Sequence, residues 1–279
     1  MSTYYAYRVF LNKAPQINLF DNRSKEEHYL NIFTQLEENH RAQFTDYGAE
    51  LFIYFHKRIN DKIIICHLAK KQEYEKPLAE ADHIERTTDI KYPFVHLVFH
   101  IKRQIVLIEK NTTAFQQIET VQNKVEKYLN IGLAQASITA SLGEISDNRE
   151  FWSKVSKFDM VEDIEFDYKP PNFFGGANEA DRIVKEVHEE TNFRKFKIFL
   201  ENKFEGLKFN KENFGDHIKR LASGAGNFIV HGVIDGIKQV AKNITTIVSK
   251  PINDIEMENE ESLETTFEEI DKLNEDENS

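Results

Sequence analysis

The stretch that decides the fold is ELFIYFHKRINDKIIICHLAKK, residues 50–71. Two runs rich in aromatic and β-branched residues, 51–55 and 63–68, flank the turn formers Asn60 and Asp61, which is the pattern of a β-hairpin. Downstream, YPFVHLVFHI (92–101) and QIVLIEK (104–110) predict a second hairpin about Lys102 and Arg103. Upstream, residues 3–11 predict a strand, and Ser24 caps a helix through about His40 with Tyr29, Ile32, Phe33 and Leu36 at helical spacing. Residues 111–130 predict an amphipathic helix striped by Phe115, Ile118, Val121, Val125, Tyr128 and Leu129. This order, β-α-β-β-β-β-α, predicts an antiparallel sheet with helices on one face.

A second unit starts near Gly132. It comprises a weak strand over 136–142, a short helix over 148–156 around Trp152, and a strand over 160–168. KPPNFFGG (169–176) ends that strand, because proline cannot donate to a ladder and glycine frees the backbone. Asn178 caps the next helix, which continues or breaks near Thr191. In residues 193–207, Phe193, Phe196, Phe199, Leu200, Phe204 and Leu207 have the spacing of a buried helix face. A helix over 212–222 leads to Ser223-Gly224-Ala225-Gly226, read as a turn. Two strands then flank Asp235-Gly236, a strong two-residue turn signal, and 244–248 adds a further strand. The expected fold is α+β with two domains, 1–132 and 133–252, each a mainly antiparallel sheet with helices packed on it. Residues 253–279 follow as a disordered or marginally helical acidic tail.

Composition narrows the function classes. The chain has 279 residues, 40% hydrophobic and 30% charged, with 11 Gly and 6 Pro, which excludes collagen-like, low-complexity and mostly disordered readings. No uncharged apolar run approaches the ~20 residues needed to span a bilayer, and MSTYYAYRVF lacks the basic-then-apolar order of a secretion signal. A cytoplasmic protein with no membrane span is expected. Cys66 is the single cysteine and reads as a small core residue on an apolar strand.

The charge is unevenly placed. Residues 253–279 carry twelve carboxylates against Lys272, a net −11 that equals the charge of the whole chain. Residues 191–250 hold eleven Lys and Arg against five acids. A basic segment followed by an acidic tail is the arrangement of an interaction region. Arg194, Lys195, Lys197, Lys203, Lys219 and Arg220 are the candidates to neutralise phosphates, and phenylalanines interleaved with them are candidate stacking platforms. In the tail, Leu263, Phe267, Ile270 and Leu273 form a narrow apolar stripe, which would order on a partner or on the chain's own basic half.

Other candidates are weaker. Asp163, Glu165 and Asp167 share one strand face, as ligands of a metal-dependent nuclease would, but any strand with one wet face looks the same. Arg23 and His28 have an R-x4-H spacing that chance readily produces. His96 and His100 lie about 13 Å apart along a strand, too far to grip one ion, so half-buried structural histidines are expected for them and for His56 and His67. Gly175-Gly176 precedes a helix whose first turn holds Glu179 and Asp181, which would repel a phosphate. No cofactor or metal is called for.

The run YYAYRVFLN (4–12), GAELFIYFHKRINDKIIICHLAKK (48–71) and YPFVHLVFHIKRQIVLIEKNTTAFQQIETVQNKVEKYLN (92–130), with the later EFDYKPPNFF (165–174), resembles the layout of RexA-like phage-exclusion proteins over about residues 1–250. The resemblance implies a DNA-binding sensor or effector, often dimeric, with no active site of its own; the acidic tail departs from it. The expected function is therefore a non-enzymatic nucleic-acid-binding protein of bacterial anti-phage defence, DNA being favoured over RNA. The alternatives are the nuclease on Asp163, Glu165 and Asp167, or a protein-interaction module whose tail, 253–279, docks a partner. A homodimer is compatible with all three.

Overall fold

The computed structural model describes residues 1–13, 23–79, 84–170, 179–191, 193 and 195–273. In chain order the strands and helices are β1 (Ser2–Lys13), α1 (Lys25–Asn39), β2 (Arg41–Asp46), β3 (Ala49–Arg58), β4 (Ile63–Lys70), β5 (Gln72–Ala79), β6 (Ile84–Lys91), β7 (Phe94–His100), β8 (Ile105–Glu109), α2 (Ile118–Leu133) and β9 (Ile138–Glu144). They continue with α3 (Asn148–Val155), β10 (Met160–Tyr168), α4 (Glu179–Thr191), β11 (Phe196–Glu201), α5 (Lys211–Arg220), β12 (Gly226–Ile234), β13 (Ile237–Lys242), β14 (Ser249–Ile252), α6 (Asp254–Glu258) and α7 (Glu260–Lys272).

Both expected N-terminal hairpins form, β3 with β4 and β7 with β8, and β4 pairs with β7 to join them. They lie in a sheet of order β14-β1-β8-β7-β4-β3-β2, with β9 also on β1. One edge of β1 pairs with β8, while the other is shared end to end by β14, from Ser2 opposite Ile252, and β9, from Tyr7 opposite Glu144. The central strands are apolar on both faces. Ile64, Cys66 and Leu68 enter one core with Tyr29, Phe33 and Leu36 of α1 and Val121, Val125 and Leu129 of α2. Ile63 and Ile65 enter a second core with Tyr4, Val98 and Leu107.

That second core corrects one expectation: helices cover both faces of the sheet. Residues 254–258 and 260–272, expected as a disordered or marginally helical tail, are the helices α6 and α7. Met257, Leu263, Phe267 and Ile270 pack on Tyr4, Ala6, Ile63, Ile65, Val98, Ile105 and Leu107. An acidic helix of this length is marginal in water. Burying its apolar stripe supplies on the order of 1.5–3 kcal/mol per large side chain, and an apolar sheet face needs a cover.

The second sheet has the order β11-β10-β12-β13, all antiparallel. Phe151 and Val155 of α3, Val184 of α4 and Ile218 of α5 fill one of its faces with Ile164, Phe166, Tyr168, Phe228 and Val230. The turn between β12 and β13 has positive φ at Asp235 (51°) and Gly236 (77°), as a type I′ turn requires. Residues 193–207 do not form the expected helix: FKIFLE is β11. The helical stripe had left Ile198 on its wet side, whereas period two places Phe196 and Ile198 together on the core.

Smaller differences have local causes. α2 begins at Ile118 because Asn111 turns the preceding segment, its side chain accepting from the Thr113 amide at 3.1 Å. Residues 244–248 add no strand; the chain makes a 3-10 turn (Asn243–Thr246) and then pairs as β14. The charged stretch around Pro77 forms the β5–β6 ribbon. The expected boundary at 132/133 falls between α2 and β9, yet β9 belongs to the first sheet. The helix cap expected at Asn178 and the Gly175-Gly176 pair lie outside the described residues. The two units touch where Gly143 meets Gly224: a Cβ on Gly143 would lie 1.8 Å from the Gly224 carbonyl oxygen, so Ser223–Gly226 is a packing junction as well as a turn.

Candidate interaction surface on the second sheet

Helices cover one face of the second sheet, and the opposite face carries most of the predicted site residues. Register sets Lys197 opposite Asp167, Phe199 opposite Glu165 and Glu201 opposite Asp163 on β11 and β10. Across β12, Asp163 faces His231 and Glu165 faces Ile229. Because the side-chain period is two, these groups all point the same way.

The cations and carboxylates of this face are partners of one another. Lys195 Nζ lies 2.8 Å from Asp167 Oδ2. Lys197 pairs with Glu165 and is 4.0 Å from Asp167. Lys203 Nζ lies 2.5 Å from Glu201 Oε1, and Lys238 Nζ lies 3.1 Å from Glu162 Oε2. His231 Nδ1 meets Asp163 Oδ1 at 2.5 Å. The hydrogen bond to Glu165 pushes the Lys197 pKa up, and that to Glu201 does the same for Lys203.

The candidate cations therefore share one exterior surface only in part, and those that do are paired. Lys195, Lys197 and Lys203 are neutralised locally. Arg220, at 5% exposure, is buried beside Tyr168, and burial pulls its pKa down to about 10 against the opposing effect of that tyrosine. Lys219 is half-buried on α5, and Arg194 lies outside the described residues. The three carboxylates share a strand face as expected, but successive ones stand about 7 Å apart along it. Asp163 is engaged by His231, Glu165 by Lys197 and Asp167 by Lys195, and among the described residues no group of three His, Cys, Asp or Glu side chains could hold a metal ion.

What the pairing leaves uncovered is apolar. Phe199 is 58% exposed and Phe204 98%, with Leu200, Ile237 and Val240 also exposed. Phe199 and Leu200 lie on β11, an edge strand whose only described neighbour is β10. Phe204 follows in a turn fixed by Asn202, whose Oδ1 accepts from the amides of Phe204 at 3.3 Å and Glu205 at 3.1 Å. The phenylalanines that helical spacing assigned to a buried face are therefore partly on the outside.

The acidic C-terminus contacts the other sheet. Asp271 accepts from Arg8 Nη2 at 2.8 Å and Arg103 Nη1 at 2.7 Å. Glu264 lies 3.4 Å from Lys62 Nζ, and Lys250 pairs with Glu269 at 2.6 Å. Buried His100 accepts the Arg103 amide at Nδ1 (3.0 Å), so its Nε2 carries the proton facing Glu264 Oε2 at 3.3 Å. Burial holds the His100 pKa below its ordinary value. Residues 254–272 pack on their own chain, as the apolar stripe allowed, on the face of the first sheet, and their cation partners include Lys250 at the end of the basic segment.

Three of the four histidines expected to be structural form one cluster. His67 stands directly opposite His96 on β4 and β7, with ring centroids 4.6 Å apart, and His56 stacks on His67 at 4.5 Å. His96 Nδ1 is 2.8 Å from Glu109 Oε2, which also accepts the His96 amide at 2.9 Å. Burial, then the neighbouring imidazoles, pull the His67 pKa down to about 4. Burial pushes Glu109 up, but the hydrogen bonds from His96 and Ser2 outweigh it and hold Glu109 at about 2. Pairing across strands brings His67 and His96 together, while His100, farther along β7, faces Glu264 instead. Arg23 and His28 flank the capping box of α1, in which Ser24 accepts from the Glu27 amide, and His28 is buried.

No protein-family model matches the chain, and no curated protein matches it. Among the described residues no helix is long and apolar enough to cross a membrane.

Proposed function

We propose that this protein is a non-enzymatic interaction module whose second sheet receives a polypeptide strand at the free edge of β11. The observation that carries the reading is the contrast on that sheet. Its lysines are neutralised by carboxylates of the same face, while Phe199, Leu200 and Phe204 at the edge stay exposed. Phosphate binding draws on cations that release counterions, and here each of these lysines would first exchange its carboxylate for the phosphate, which lowers the gain. Strand addition needs an open row of backbone donors and acceptors with side chains that bury apolar area, which an exposed edge strand provides. The reading replaces nucleic acid with protein as the partner. It keeps the setting implied by the RexA-like layout, phage exclusion, as part of the proposal. Titration of the full chain with DNA and RNA at low and high salt tests it: binding that is absent or insensitive to salt is expected. Tight binding to all sequences that falls steeply with salt would overturn it in favour of a polyanion site.

A further inference from the structure

We infer that the strand received by β11 is the β11 of a second copy of this chain, paired antiparallel about a twofold axis through Phe199. The inference rests on the reading of β11 as an addition edge and names the occupant. The argument is the self-complementarity of FKIFLE. When an antiparallel copy is centred on Phe199, Lys197 of each copy faces Glu201 of the other, Ile198 faces Leu200, and Phe199 faces itself. The pairing therefore makes two opposite-charge pairs, two aliphatic pairs and one aromatic pair, all of the kinds that stabilise neighbouring strands.

Faces match as well as residues. Lys197, Phe199 and Glu201 share the open face with Asp167, Glu165 and Asp163, while Ile198 lies against the core of the second sheet. In this register both open faces point the same way, and two four-stranded sheets become one continuous sheet. A slip of one residue would turn one copy over, because the side-chain period is two. A slip of two residues in one direction would set Lys197 against Lys203, two like charges. A twofold contact of this kind is closed, using the same patch on both copies. It buries the Phe199 rings and satisfies the edge amides, the features that otherwise make an exposed edge strand an aggregation hazard.

Sedimentation of the full chain over a concentration series, with charge variants, tests the inference. A reversible dimer is expected. Lys197→Glu and Glu201→Lys, each alone, place like charges opposite one another twice and should raise the dissociation constant about tenfold or more. Mixing the two single variants should restore association as a heterodimer, because every 197–201 pair is then opposite in sign; this recovery also shows that both variants fold. A chain that is monomeric at every concentration, or a dimer indifferent to both variants, would overturn the inference. Amide exchange at residues 196–201 under dilute conditions separates that failure from failure of the underlying reading. Fast exchange in a monomer leaves the edge open for a different polypeptide, whereas protected edge amides in a monomer remove strand addition altogether.

Discussion

The two sheets put the same kinds of residue to opposite uses. In the first, apolar on both faces, polar contacts join residues far apart in the chain and stand at the rim of a docked helix: Arg8 and Arg103 pair with Asp271, and the neutral His100 ring donates to Glu264. In the second, apolar on one face, ion pairs join neighbours on adjacent strands in the open, as Lys195 with Asp167 and Lys197 with Glu165. A charge beside buried apolar surface helps hold an element in place. A charge beside its opposite on a wet face quenches the local field and leaves geometry and apolar area to decide what binds. Net charge per segment, which sets a basic 191–250 against an acidic tail, does not distinguish these cases.

The sharpest break of the comparison is made under α7. Phe267 is fully buried, with its ring 5.1 Å from that of His100 in an edge-on contact. Phe267→Ala removes the ring and leaves a cavity, so a loss of about 3–5 kcal/mol is expected in denaturant unfolding. A loss under about 1 kcal/mol would mean that the acidic helix is a loose cover and that the two sheets differ less than described.

A smaller effect is expected at the rim. Burial pushes the Asp271 carboxyl up, but Arg8 and Arg103 outweigh it and hold its pKa below the usual carboxylate value. A lowered folded-state pKa means that the unfolded chain binds more protons, so this stability is present above the ordinary value near 4 and is lost as pH falls through the lower folded value. Asp271→Asn should therefore cost about 1–3 kcal/mol at neutral pH. The gap to the unsubstituted protein should close in acid. A gap that is the same at every pH would assign the role of Asp271 to shape and not to charge.

Much of the first sheet was legible because strands such as IIIC and QIVLIE are apolar at successive positions and cannot be amphipathic helices of the same length. The hairpin at Asp235-Gly236 was legible because few sequences tolerate two positive φ values in a row. What was not legible was pairing at a distance. Nothing local in residues 138–144 says that they pair with β1, and nothing in a stripe of Leu263, Phe267 and Ile270 says which apolar face it will cover. At the candidate site the residue types were readable, since Asp163, Glu165 and Asp167 do share a face. Their neutralisation was not, because it depends on β11 being the next strand, and FKIFLE fits helical and strand periods almost equally well. Ile198 was the discriminating residue.

The smallest expected effect lies on the open face, and its smallness is the point. The Lys195 side chain is 62% exposed, whereas Asp167 is 18% exposed with Lys197 as a second cation 4.0 Å away. Lys195→Ala removes one exposed partner without orphaning the carboxylate, so unfolding free energy should change by no more than about 0.5 kcal/mol, less at high salt. On a polyanion-binding face the same substitution would instead reduce the salt dependence of nucleic-acid binding by about one counterion. A cost above about 1 kcal/mol would show that the pair is sheltered from water, so that something covers this face and the contrast between one covered sheet and one open sheet no longer stands.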